Sequence, residues 1–203
     1  MSFPGAVDSR TARGLRNKSC QAALMLVASF MLVMGTFKLA FASGIELAQI
    51  QAFNSTEGQF VSFRAHFDLP RSVENALTKG VVLTFVAQAK TYKARWYWSD
   101  ERTAKARKVW HLSYQALTRR YRVSTESGQQ NFDSLADALA LIQSIQHWKI
   151  ANKPVNDDSK QHYIELTYQL DTTELPRPFQ IGIEDQPDWK LSTESVVVLR
   201  DPE

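Results

Sequence analysis

Positive charge is concentrated in one stretch of the chain, between Lys90 and Arg122. This stretch holds ten basic and two acidic side chains, a net charge of +8, whereas residues 123–203 hold six basic and 14 acidic ones, a net charge of −8. Clustered guanidinium groups bind carboxylate or phosphate through paired hydrogen bonds and attract acidic partners. The sequence therefore predicts a partner-docking basic face, and its candidate residues are Arg95, Arg107, Arg119, Arg120 and Arg122.

Two other interpretations of the basic stretch remain open. Trp96, Trp98 and Trp110 share one strand parity, and Lys93 and Arg95 share the other. An aromatic layer inside and cations outside is the ordinary pattern of a solvated sheet, so we expect the three tryptophans to line the core. Alternatively, the cations pair inside the domain with the acidic C-terminal half.

Other groups that could carry chemistry give weaker patterns. The four histidines are scattered, with no two at the i,i+3 or i,i+4 spacing of a zinc-binding helix. The acidic pairs 157–158 and 184–185 lack the alternating oxygen ligands and the glycine of a calcium loop. Nucleophile, phosphate-loop and dinucleotide motifs do not occur. We therefore expect no metal, no cofactor and no enzymatic activity; the alternative is an envelope hydrolase with an unrecognised carboxylate site.

Residues 1–42 have the pattern of a secretory signal peptide. Four cations between Arg10 and Lys18 precede an apolar run from Ala22 to Met34, and Ala40-Phe41-Ala42 supplies the small-x-small cleavage site. We expect cleavage after this site and a periplasmic or cell-envelope location. The alternative is a retained membrane anchor, because the low-charge run 19–37 approaches the ~20 residues that span a bilayer.

Removal of the signal peptide changes the net charge and the cysteine content of the chain. The whole chain has 24 basic and 21 acidic side chains, of which five basic and one acidic lie in residues 1–42, so the mature chain has 19 against 20. Such a near-neutral domain is not expected to bind nucleic acid. Cys20 is the only cysteine and leaves with the signal, so we expect no disulfide. Residues 43–203 are long enough for one domain, and we predict a single one.

The hydrophobic pattern of residues 43–203 is mainly that of β-strands. Residues 59–68 alternate strictly between apolar and polar side chains, and residues 45–54 supply an antiparallel partner across the turn 55–58. Further strands are predicted at 81–98, 106–114, 119–125, 161–171 and 189–200. The proline-rich segment 175–178 is predicted to lie outside any central strand.

Two helices are predicted among these strands. Residues 72–79 begin with capping chemistry and end at Gly80, which suits a left-handed helix terminus. Residues 135–148, capped by Asp133 or Ser134, repeat their apolar side chains at helical spacing through Ile145. The predicted fold class is strand-rich α+β, an antiparallel sheet or β-sandwich with two helices packed on it.

Three longer motifs follow one another along the chain: ARWYWSD at 94–100, LSYQALTRRYRV at 112–123 and LDTTELPRPFQ at 170–180. They resemble the family known as domain of unknown function 4390, over about residues 45–198. The resemblance implies an exported protein of Gram-negative bacteria and a membrane-bound sensor kinase as a candidate partner. It carries over no catalytic residue. The function we predict is an exported, non-enzymatic binding or accessory module that docks an acidic envelope partner through its basic face.

Overall fold

The computed structural model of this protein describes residues 44–97, 99–155, 161–183 and 186–200. The predicted signal peptide and Trp98 lie outside the described residues. The described strands are β1 (Glu46–Ser55), β2 (Gly58–His66), β3 (Leu83–Lys93), β4 (Glu101–Gln115), β5 (Arg120–Thr125), β6 (Gly128–Phe132), β7 (Ser144–Ala151), β8 (His162–Asp171) and β9 (Ser192–Val198). The α-helices are α1 (Arg71–Thr78), α2 (Leu135–Gln143) and α3 (Arg177–Ile183), and short 3-10 helices cover Thr172–Glu174 and Pro187–Trp189.

These strands form two antiparallel sheets. One has three strands in the order β1-β2-β7, and the other has six in the order β6-β5-β4-β3-β8-β9. The inner face of the larger sheet carries the apolar side chains of β3 and β8, among them Phe85, Leu166 and Tyr168, all buried. Side chains of the small sheet and the helices belong to the same core cluster. The predicted strand-rich α+β fold is confirmed.

The predicted opening hairpin is present, and its turn lies in close contact with the end of β7. Ser55 lies opposite Gly58 in the β1–β2 register, and the alternating residues Val61, Phe63 and Ala65 of β2 are buried. Gly58 has a φ of 132°, and a Cβ at this position would lie 2.0 Å from the carbonyl oxygen of Ala151. Glycine is therefore required here both by the backbone angle and by the close approach of the last residue of β7.

The second predicted helix ends five residues early, so its predicted extent is wrong. Ser134 caps α2 by accepting a hydrogen bond from the backbone N–H of Asp137, as expected, but the helix stops at Gln143. Residues 144–151 form β7, which pairs with β2. Ile145 is buried, as its helical spacing suggested, but it belongs to this strand. Pairing with a neighbouring strand overrides the local helical pattern.

The first predicted helix starts differently from the expectation. The N-cap of α1 is Pro70, which offers no side-chain cap. The Ser72 hydroxyl instead donates 2.8 Å to Oδ2 of Asp188, and so ties α1 to the 3-10 helix Pro187–Trp189. The predicted left-handed terminus is present, because Gly80 has a φ of 91°.

The tryptophans of the basic stretch do not share one environment. Trp110 is 3% exposed and belongs to the core, as predicted, whereas Trp96 is 92% exposed, so its predicted core position is wrong. Strand parity holds for these side chains only within a continuous strand, but β3 ends at Lys93 and β4 begins at Glu101. The described residues between these strands, 94–97 and 99–100, form the loop 94–100, in which strand parity no longer decides where a side chain points.

We expect Trp110→Ala to lower the free energy of unfolding by about 3–5 kcal/mol, the usual effect of deleting a buried aromatic side chain. The matched change Trp96→Ala should shift it by less than about 0.5 kcal/mol, as for other exposed positions. Denaturant unfolding of the two variants and the parent measures both values. Equal losses of stability would contradict the assignment of the two side chains to core and solvent.

Gly58→Ala should destabilise the protein more than Gly128→Ala. Both glycines have a strongly positive φ, but an added Cβ at Gly128 meets no atom within 4 Å. Gly128→Ala therefore measures backbone strain alone, about 1–3 kcal/mol, and Gly58→Ala adds the clash with the Ala151 carbonyl. Thermal or denaturant melts of both variants give the difference, and similar values for the two would argue against the close contact.

Candidate partner-binding surface

The five arginines of the predicted basic face are spread along the six-stranded sheet. Arg107, Arg120 and Arg122 lie on β4 and β5, Arg95 lies in the loop 94–100, and Arg119 lies in the turn before β5, with a φ of 54°. Arg95 pairs with Glu101, at the start of β4, and Arg122 lies opposite Ser113, near its end. Twelve residues of strand separate these partners, which is roughly 40 Å at 3.3 Å per residue. The five arginines therefore cannot contact one small ligand together.

Several of these cations are paired with carboxylates inside the domain. A guanidinium nitrogen of Arg107 lies 3.5 Å from Asp171 and 3.8 Å from Glu174. Arg120 donates 2.7 Å to Asp133, and this carboxylate raises the pKa of the Arg120 guanidinium above its usual value. The interpretation that the cations pair with the acidic C-terminal half therefore holds for Arg107 and Arg120.

Lys90, on β3, is paired in the same way. Its ammonium group forms a hydrogen-bonded ion pair with Glu165 of β8, which raises the pKa of Lys90. Arg122 has a neutral partner, since its Nε donates 3.0 Å to the side-chain oxygen of Asn131. Arg119 forms no ion pair with any described residue.

Two exposed cations in the first half of β4 keep their charge unpaired within the described residues, and the half-buried Lys108 further along the strand forms no ion pair with them either. Arg102 lies opposite Tyr92 and Lys105 lies opposite Lys90 in the β3–β4 register. Both are exposed, and neither forms an ion pair with a residue that the structure describes. The charge count of the sequence included both, but it could not separate them from the paired arginines.

The loop 94–100, at the end of the β3–β4 hairpin beside these cations, presents two aromatic side chains to solvent. Trp96 is 92% exposed and Tyr97 is 65% exposed. Their rings pack edge to face, with centroids 4.8 Å apart. A pair of large exposed aromatic side chains in contact with each other is a candidate for an interaction surface.

The loop owes its shape to hydrogen bonds centred on Asp100. One carboxylate oxygen accepts the backbone N–H of Arg95 at 3.0 Å, and the other accepts the hydroxyl of Tyr163 at 2.5 Å. These bonds lower the pKa of Asp100, and the Asp100 carboxylate raises the pKa of Tyr163 to about 12. At the other end of the loop, the Ala94 N–H donates 3.0 Å to the Gln161 carbonyl. Polar contacts fix the loop, so Trp96 does not need to be buried.

An apolar strip continues this surface across the sheet to its edge. Tyr92 stacks on Tyr163 with centroids 5.4 Å apart, and Tyr163 lies opposite Val198 on the edge strand β9. Val196 and Val198 are 62% and 44% exposed. We define the hairpin-tip patch as the exposed side chains of this region, Trp96, Tyr97, Arg102, Lys105, Val196 and Val198.

Other features of the described residues offer less chemistry. Among these residues, no group of three or more His, Cys, Asp or Glu is placed to hold a metal ion. A cleft of about 340 Å³ lies beside Lys108 and Trp110, whose side chains form a cation–π contact of 5.7 Å. Its other lining residues are uncharged. None of the described helices has the length and apolar character needed to cross a membrane.

Comparison with protein families gives one match, which covers nearly the whole described region. The profile described as "Domain of unknown function (DUF4390)" matches residues 42–198. The chain belongs to the DUF4390 family. No curated protein and no solved structure matches it significantly. The resemblance seen in the three sequence motifs is confirmed, and two of them, at 94–100 and 170–180, supply the exposed loop of this DUF4390 domain and the carboxylates that neutralise Arg107.

Asp100→Asn should lower the pKa of Tyr163 from about 12 towards its ordinary value of 10.0, because the carboxylate that binds its hydroxyl is removed. Alkaline titration of tyrosinate absorbance measures this pKa, and Tyr163→Phe identifies the Tyr163 step by its loss. An unchanged Tyr163 step in Asp100→Asn would contradict the hydrogen bond.

The same contact gives stability a defined pH dependence. Because the pKa of Tyr163 is raised in the folded protein, the stabilisation that its hydroxyl gives to the fold is complete below pH 10 and is lost as the pH rises through about 12. Because the pKa of Asp100 is lowered in the folded protein, the stabilisation that its carboxylate gives to the fold is present above about pH 3.8 and is lost at lower pH.

Proposed function

We propose that this DUF4390 domain is an exported, non-enzymatic binding or accessory module of the cell envelope, which docks an acidic partner through the hairpin-tip patch. The observation that carries the proposal is the position of Arg102 and Lys105, which have no carboxylate partner among the described residues, beside the exposed Trp96 and Tyr97. Tryptophan, tyrosine and arginine are the residues that contribute most to binding energy at protein surfaces.

The ion pairs elsewhere on the sheet support this choice of surface. Arg107 and Arg120 are neutralised by carboxylates of the C-terminal half. On β4, Arg107 is paired and Lys108 lies over the Trp110 ring, so the exposed cations of this strand that keep no carboxylate partner among the described residues are Arg102 and Lys105. An acidic partner that approaches the domain is therefore attracted towards the hairpin tip.

The sequence supports the envelope location. Residues 1–42 have the pattern of a secretory signal, and the family domain starts at residue 42. The family resemblance suggests a membrane-bound sensor kinase as the partner, and an acidic segment of such a protein would suit the charge of the patch. Export and this partnership are part of the proposal.

The hydrolase alternative needs two carboxyl groups that share a cleft, one of them able to act as an acid. Asp171 and Glu174 do converge, but the guanidinium of Arg107 contacts both. The carboxylates bind this arginine, and His111 lies 3.9 Å from Glu174 on the same surface. This is the geometry of a charge network, which favours the binding module over the hydrolase.

Charge reversal at the patch tests the proposal. Residues 42–203, which form a compact unit of their own, serve as bait for envelope extracts at low salt. We expect Arg102→Glu with Lys105→Glu to reduce capture of the bound component about tenfold or more, since both charges then repel an acidic partner. Raising the salt concentration should release the parent protein's partner in the same way.

The matched control reverses one arginine and one lysine elsewhere, Arg71→Glu with Lys153→Glu. Both side chains are exposed, and the change in net charge is the same. This control should retain capture, and both double variants should melt like the parent. Capture at the parental level by the Arg102/Lys105 variant would rule out the patch as the docking site.

A further inference from the structure

We propose that the acidic partner of the hairpin-tip patch is an anionic phospholipid surface, with Trp96 and Tyr97 among the headgroups and Arg102 and Lys105 against the lipid phosphates. This inference rests on the proposed function, because it assigns a partner class to the same patch.

The projecting shape of the hairpin tip suits a membrane–water interface, which needs no preformed pocket. Trp96 and Tyr97 project from a loop, with only 8% and 35% of their surfaces covered by the protein. A protein partner would need a pocket complementary to this pair, and a standard protein interface buries about 800 Å² per partner. Two aromatic side chains offer only about 150–250 Å² each. Tryptophan and tyrosine concentrate at membrane–water interfaces, where no pocket is required.

The charges of the tip suit phosphate. Arg102 is one residue from the start of β4 and Lys105 three residues further along, about 10 Å at 3.3 Å per residue. Arg102 is five residues from Tyr97 along the chain and is the nearer of the two cations to the aromatic pair, and Lys105 adds a longer-range attraction that salt screens more strongly. A basic residue near an anionic leaflet contributes about 1 kcal/mol of attraction, and a guanidinium can bind phosphate through two hydrogen bonds.

Of the four described carboxylates near the tip, Glu101 and Glu165 are paired with cations, whereas Asp100 and Glu194 keep their charge and reduce the attraction to anions. Asp100 accepts hydrogen bonds from Tyr163 and from the backbone of Arg95. Glu101 is paired with Arg95, and Glu165 with Lys90. The charges of Glu101 and Glu165 are therefore offset within the hairpin and its neighbour β8, whereas those of Arg102 and Lys105 are not offset by any described residue.

The two ends of the loop that carries the aromatic pair are held by hydrogen bonds. The bonds to Asp100 and the Ala94–Gln161 hydrogen bond hold both ends of the loop in the absence of a partner. Ordering a flexible loop on binding would cost free energy, and a loop ordered beforehand avoids that cost. Val196 and Val198, on the adjoining edge strand, extend the apolar side of the contact.

Vesicle binding tests the inference with residues 42–203, which lack the apolar run of the predicted signal. The probes are vesicles of phosphatidylcholine alone and vesicles in which about a third of the lipid is phosphatidylglycerol, an anionic lipid. We expect sedimentation with the anionic vesicles, about tenfold weaker binding to phosphatidylcholine, and weakening by salt. Tryptophan emission should shift to the blue as Trp96 leaves water.

The variant Trp96→Ala with Tyr97→Ala should weaken binding to anionic vesicles at least about tenfold, as should Arg102→Glu with Lys105→Glu. The matched controls are Leu117→Ala and Arg119→Glu, in the turn at the opposite end of β4. Leu117 is fully exposed, and Arg119 is exposed with a positive φ. Both controls should bind vesicles like the parent, and all variants should keep the parental melting temperature.

Three outcomes would overturn the inference. Vesicle binding that is equal for the parent and the Trp96/Tyr97 variant would exclude the aromatic tip. Equal weakening by Arg119→Glu would mean a diffuse charge effect, and equal weakening by Leu117→Ala would mean an apolar effect that is not specific to the tip. If the protein binds no vesicles but its capture from envelope extracts still depends on the patch, the partner is a protein, and the proposed function stands without the lipid surface. If neither vesicle binding nor patch-dependent capture is observed, both the inference and the proposed function are wrong.

Discussion

Burial of the Tyr168 side chain in the centre of the core is the constraint on which the two-sheet arrangement depends. Its ring lies 6.2 Å from Phe63 of the small sheet and 6.1 Å from Trp110 of the large one, so it contacts both layers. A buried hydroxyl needs a hydrogen-bond partner, and this one donates 3.1 Å to the carbonyl of Ile142 near the end of α2. Burial raises the pKa of Tyr168 well above its ordinary value, which keeps the donor protonated. One side chain thus joins the large sheet, the small sheet and the helix terminus.

This inner constraint determines how the outer face of the large sheet is used. Because β3 and β8 fill the core with one set of alternating side chains, their other side chains must face away from it. Register places Lys90 beside Glu165, and Arg107 within reach of Asp171. Exposed ion pairs stabilise a fold by only about 0–1 kcal/mol. Their main effect here is on which cations remain unpaired among the described residues: Arg102 and Lys105 near the hairpin tip, and Arg119 and Arg122 at the β4–β5 end.

Much of the fold follows from local patterns, and the failures have identifiable causes. The strict alternation in β2 and the apolar spacing of β8 predict strands that the structure contains. The end of α2 was missed because β2 pairing and the Tyr168 hydroxyl act from distant parts of the chain. β6, with the sequence GQQNF, was not predicted, since its only large apolar side chain is Phe132. For the candidate surface, composition locates the cations, but only the register shows that Arg102 and Lys105 lack carboxylate partners among the described residues.

The loop 94–100 is longer than a connection between two antiparallel strands has to be. Two residues suffice to join antiparallel strands in a hairpin, yet seven residues connect β3 to β4. Asp100 and the backbone hold this connection without help from the Trp96 and Tyr97 rings, which remain largely in water. Exposure of large apolar surface brings no stability to the isolated fold and raises the risk of aggregation. The apolar surface of these rings leaves water only when another molecule or phase covers them, which is the contact that the proposed function assigns to the hairpin tip.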